Sequence, residues 1–85
     1  MTSAQMRAAR ALVNWSVRDL SERSGVHRNT ITNFETGKSG GDPDTLAKLQ
    51  RALEAAGVEF IPENGSGAGV RLAKPKSPGV VPVGG

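Results

Sequence analysis

The stretch SVRDLSERSGVHRNTITNFETG, residues 16–37, constrains this chain more than any other. It reads as two short helices joined by a glycine turn. Ser16 is a good N-cap, and Asp19 stands three residues on, where a carboxylate reaches back to the cap. Val17, Leu20 and Ser24 follow at helical spacing. Gly25 then stops the helix, because glycine enters the left-handed region without a steric penalty. Val26 is apolar and plugs the gap between the two helices. The next helix runs from about Arg28 to Thr36, with Ile31 and Phe34 on its buried side and Gly37 as its stop. Arg28, Asn29, Thr32 and Asn33 fall on the opposite side at i, i+4 spacing.

The flanking segments read as support for that unit. Thr2 and Gln5 have the spacing of a capping box, and Met6, Ala9 and Val13, with Leu12 beside them, give a first helix one apolar stripe. Arg10 lies next to that stripe, so its charge needs a partner. Asn14-Trp15 ends this helix, and Trp15 is expected in the core at the junction. Ser39-Gly40-Gly41 is a flexible link. Asp42-Pro43-Asp44 is a strong helix start, followed by Leu46, Leu49 and Leu53 on the core face, with Gly57 as the end. The period then changes. Residues 58–61 (VEFI) and 69–72 (GVRL) read as strands, with Pro62-Glu63-Asn64-Gly65 supplying turn chemistry. A lone two-stranded hairpin is marginal in water. Either it docks on the helices, or its edge pairs with the same edge of a second chain. The second is the expectation here, through Val58, Phe60, Val70 and Leu72. From Ala73 onward, proline and glycine predict a disordered tail.

The sequence thus predicts a mainly α fold: a four-helix bundle over 1–57, a β-hairpin over 58–72 and a tail over 73–85. Charge is unevenly spread along it. Residues 1–40 carry six arginines and lysines against three carboxylates, whereas residues 41–63 carry two against five. A basic opening half suits a phosphate-bearing partner. The absence of cysteine rules out disulfides and thiolate metal sites and suits a reducing cytoplasm. One histidine leaves no metal set and no histidine-based nucleophilic triad, so neither an enzyme nor a cofactor is expected. No apolar run is long enough to span a membrane. The outward face of the third helix fits nucleic acid best. Arginine matches guanine, asparagine matches adenine, and a threonine methyl meets the thymine methyl.

Leu20, Ser21, Gly25, Val26, Ile31 and Phe34, followed by Glu35-Thr36-Gly37-Lys38, resemble the helix-turn-helix of the Cro-and-repressor type, the XRE family. The likeness spans residues 5 to about 57. It implies a repressor-like bundle that binds double-stranded DNA as a homodimer on a palindromic operator and regulates transcription. Under the resemblance, Arg28, Asn29, Thr32 and Asn33 read bases, and Ser16, Arg18 and Lys38 contact phosphate. Arg10 pairs with Glu35, which supplies the partner that Arg10 needs. The chain also departs from the pattern. Val17 opens the second helix where a phosphate-touching glutamine is common. His27 precedes the third helix in place of serine or threonine, either as a weak cap or as a phosphate contact. A hairpin stands where a fifth helix is expected. A cytoplasmic protein, on the nucleoid when bound to DNA, follows from this reading. The alternative is an antitoxin-type or anti-activator module that presents the same scaffold to a protein partner.

Overall fold

Three of the four helices start on a side chain that turns back to its own backbone. Helix α1 (Ser3–Val13) begins at Thr2, whose hydroxyl accepts the Gln5 N–H at 3.0 Å while the Gln5 Oε1 accepts the Thr2 N–H at 2.8 Å. Helix α2 (Val17–Ser24) begins on the same reciprocal device between Ser16 and Asp19, at 3.0 and 2.9 Å. Helix α3 (Arg28–Glu35) begins at His27, whose Nδ1 accepts the Asn29 N–H at 3.1 Å. Helix α4 (Pro43–Ala55) follows Asp42, whose carboxylate makes no capping bond; Pro43 has already removed one of the free N–H groups. The computed structural model describes residues 1–63, 65 and 67–73. Apart from Ala73, the expected disordered tail lies outside these residues, as does Asn64 of the expected turn.

The stops follow the same local logic. Helix α1 ends on Asn14 with φ 58°, and α2 ends on Gly25 with φ 79°. A Cβ at Gly25 would meet nothing within 4 Å, so backbone conformation rather than crowding selects glycine there. Gly41 is a different case. A Cβ there would lie 2.9 Å from Leu46 Cδ2, so this part of the expected flexible link is packed against the core.

The apolar stripes meet in one core. Met6 and Ala9 come from α1, Leu20 from α2, Ile31 and Phe34 from α3, and Leu49 and Leu53 from α4, with Val26 from the turn. Trp15 and Val13 pack on its margin, so Trp15 is half-buried at the α1–α2 junction. Each fully buried Leu, Ile or Met contributes at most about 1.5–3 kcal/mol. A core of this size needs a cover, and the last two elements provide it.

Strands β1 (Val58–Ile61) and β2 (Gly69–Leu72) form an antiparallel pair in the register Val58–Leu72, Glu59–Arg71, Phe60–Val70 and Ile61–Gly69. Glu59 and Arg71 form an exposed cross-strand ion pair at 2.9 and 3.1 Å. The opposite face packs on α1 and α4. Of the two arrangements considered, docking is the one seen: the hairpin lies on its own helices. Val58 is only 3% exposed and belongs to the core of its own chain, so it is not part of an outer contact surface. Phe60 and Val70 are half-buried against the same core, and only Leu72 is well exposed.

Gln5 fastens the hairpin. Its side-chain amide donates to the Ile61 carbonyl at 3.2 Å and to the Gly69 carbonyl at 3.0 Å, one proton to each strand. The same residue therefore caps α1 with its oxygen and holds β1 and β2 with its nitrogen. Gln5→Glu keeps the capping acceptor but removes both donors and faces two carbonyls with a carboxylate. It is expected to lower stability by roughly 1–3 kcal/mol. Amide exchange should accelerate in β1 and β2 ahead of α3. Unchanged exchange in both strands would contradict the clamp.

Candidate nucleic-acid interface

The turn between α2 and α3 is closed by two serines. Val26 places its side chain in the core, which leaves its backbone groups in need of partners. The Ser21 hydroxyl donates to the Val26 carbonyl at 2.6 Å, and the Ser24 Oγ accepts the Val26 N–H at 3.1 Å. With Gly25 in the left-handed region, these bonds fix the angle at which α3 leaves α2.

Helix α3 is then held from below by α1. The Arg10 guanidinium grips the Glu35 carboxylate through two bonds, Nε to Oε2 at 2.6 Å and Nη2 to Oε1 at 2.8 Å. Its remaining nitrogen donates to the Trp15 carbonyl at 2.9 Å. Glu35 is 7% exposed and the Arg10 side chain 20%. Hydrogen bonding to Glu35 raises the Arg10 pKa above its ordinary value and outweighs the opposing effect of burial. Arg7, one turn earlier on α1, donates to the Glu35 backbone carbonyl. This places a cation at the C-terminal end of α3, where the helix dipole favours one and α3 carries no basic residue of its own.

The upper side of α3 is bare. Arg28, Asn29, Thr30, Thr32 and Asn33 are all exposed. None of their side chains bonds to another described residue, although α3 is otherwise tightly bonded. The four residues that the sequence marks as base readers therefore share one open surface, joined by Thr30. No carboxylate lies on it.

A helix-turn-helix family model matches residues 6–60, from the first turn of α1 into β1. The chain belongs to the XRE-type helix-turn-helix family. No curated protein matches it. In this helix-turn-helix protein the four residues named for phosphate contact differ in how their side chains are engaged. Lys38 follows the end of α3, exposed and without a partner among the described residues. Arg18 is exposed but engaged with Glu22 at 3.3 Å, an i, i+4 pair that an incoming phosphate could replace. Ser16 has its oxygen and its N–H committed to Asp19. His27 caps α3 through Nδ1, an acceptor role that puts the ring N–H on Nε2, and Nε2 faces away from the cap.

Sequence reasoning missed several members of this arrangement. Arg7 was legible only as a basic residue three before Arg10, and Ser24 only as a helical position. Arg23 lies with its guanidinium 4.8 Å from the Trp15 ring centroid, a cation–π contact that steadies the α1–α2 junction. Among the described residues, no group of three or more His, Cys, Asp or Glu could hold a metal ion, and no helix is long and apolar enough to cross a membrane.

Two measurements check the support under α3. Arg10→Ala strands the buried Glu35 carboxylate and should destabilise the fold by about 3–5 kcal/mol in thermal or denaturant melts. A melting temperature unmoved from wild type would show that Glu35 needs no counter-charge. Hydrogen bonds from the Ser16 backbone and hydroxyl, in that order, hold the Asp19 carboxyl below its ordinary pKa. The stabilisation of α2 is therefore complete above about pH 4, the unfolded value. It is lost as pH falls through the lower folded value. Asp19→Asn should flatten this acid limb in helicity measured by circular dichroism, and an unchanged limb would remove Asp19 from the account.

Proposed function

We propose that this helix-turn-helix protein is a transcriptional regulator that binds double-stranded DNA sequence-specifically, as a homodimer on a palindromic operator. The observation that carries the reading is the bare polar face of α3, held from beneath by Arg10 and Arg7. A structural helix has little reason to keep five polar side chains unbonded and free of carboxylates. A helix lying in the major groove has every reason to do so. Arg28, Asn29, Thr32 and Asn33 read base edges in this proposal. Ser16, Arg18, His27 and Lys38 contact phosphates on either side and set the register of α3 on the duplex. A protein-docking module of the antitoxin type would leave that face without a task, and no contact in the fold favours it. The protein acts in the cytoplasm, on the nucleoid, with no cofactor.

Affinity in this scheme comes mainly from phosphate neutralisation and falls steeply with salt, while discrimination comes from α3. Selection of bound sites from random duplex DNA tests the proposal as a whole: it should return a two-fold symmetric motif. Arg28→Ala should weaken binding to that motif by about 1–3 kcal/mol and relax preference at one base position per half-site. Equal weakening on random DNA would reassign Arg28 to the phosphates.

A further inference from the structure

Trp15 lines a groove that the described residues leave open. It is the only tryptophan, and it is half-buried where α1 hands over to α2. Ala52, Ala55 and Ala56 line the groove from the end of α4, together with Arg23 of α2, whose guanidinium lies 4.8 Å from the ring centroid. Ala55 and Ala56 are exposed. Small side chains beside an indole leave a hollow of about 200 Å³. That is small beside the roughly 300–1,000 Å³ of sites that enclose a small molecule. It suits a few apolar side chains laid along a surface.

The continuation of the chain begins at this groove. The Ala73 N–H donates to the Gly57 carbonyl at 2.7 Å, and Gly57 directly follows Ala56 of the groove wall. Residues 74–85 therefore set out from beside the lining. Between Ala73 and Val80 the chain can span at most about 25 Å, against a helix diameter of about 10–12 Å, so reach is not limiting. The composition also fits. Residues 77–85, SPGVVPVGG, carry no charge, and Val80, Val81, Pro82 and Val83 are consecutive apolar residues. Lys74 and Lys76 precede this run, so it can approach Arg23 without bringing a like charge to it. Proline-bearing segments favour the polyproline II conformation, which has little ordering entropy left to lose and docks on aromatic-lined surfaces.

We propose that residues 80–83 dock on the Trp15 groove of their own chain, with Val80 and Val83 against the indole and the alanines of α4. Three residues per turn put those two valines on one side of a polyproline II segment. A contact of this size is weak between separate molecules. A short tether, however, supplies an effective concentration in the millimolar range, which a separate partner rarely matches. The occupant is therefore the chain itself. Docking covers the indole of the residue whose backbone carbonyl accepts from Arg10, and so braces the junction beside which α3 is held.

The chain has no tyrosine and no second tryptophan, so Trp15 fluorescence reports this groove alone. The test uses the full chain without DNA, which keeps it independent of the DNA-binding reading. Val80→Ser combined with Val83→Ser should raise acrylamide quenching of Trp15 about twofold and move its emission to longer wavelength, with unchanged helicity. Ala55→Gln, at the exposed end of α4, fills the groove from the other side. In that background the serine substitutions should change nothing further. Unchanged quenching when both valines are replaced in the otherwise native chain would overturn the proposal. An equal rise with Ala55→Gln already in place would also overturn it, because the valines would then act elsewhere. An effect that emerges only when protein concentration is raised about a hundredfold would assign the groove to a second copy's segment and exclude docking within one chain.

Discussion

The buried grip of Arg10 on Glu35 is the interaction on which the rest of this small fold depends. It joins the last turn of α1 to the last turn of α3, and through the Trp15 carbonyl it also reaches the start of α2. Such a pair is a weak source of net stability, since removing both charges from water offsets much of their attraction. What it provides is definition. A bidentate guanidinium–carboxylate contact tolerates little rotation, so the helix carrying Glu35 has one roll angle relative to α1. An apolar pair would stabilise the same contact without fixing the angle. For a helix whose outer side chains must meet a patterned surface, the angle is the useful quantity.

The remaining architecture protects that geometry at low cost in residues. The Ser21, Ser24 and Gly25 turn satisfies the backbone around Val26 using side chains of α2 alone, so no distant element is needed to hold the motif closed. The core beneath is shallow, and a chain of this length buries a modest share of its surface. The hairpin compensates by covering the gap between α1 and α4, with Val58 as its deepest residue. Its polar face, tied by Glu59 and Arg71, stays in water.

What was legible in the sequence was what local spacing determines. The caps at Thr2 and Ser16, the stop at Gly25 and the stripes of Met6, Leu20, Ile31 and Leu49 all depend on residues within one or two turns, and each stands in the structure where that spacing puts it. The Arg10–Glu35 contact spans 25 positions and was legible only through resemblance to a family. Strand alternation put Val58, Phe60, Val70 and Leu72 on one face but could not say what that face meets, because alternation carries no information about the opposing layer. The result was a surface assigned to a second chain when most of it belongs to this one. Gln5 read as half of a capping box. Its two bonds to the hairpin, 56 and 64 positions away, leave no local trace. Arg7 likewise looked like any exposed arginine of α1.

Gln5 has a consequence for the order in which the chain can settle during synthesis. The α2–turn–α3 unit closes on bonds within a few residues of each other and can form while later residues are still being added. Glu35 then gives Arg10 its counter-charge. The amide of Gln5, near the beginning, finds its first strand acceptor only at Ile61 and its second only at Gly69, so it stays bonded to water until nearly all the described chain has left the ribosome. A product that stops short of β2 exposes that amide together with the underside of the core. The contact that fastens the hairpin thus also distinguishes a chain that has reached β2 from one that stops before it.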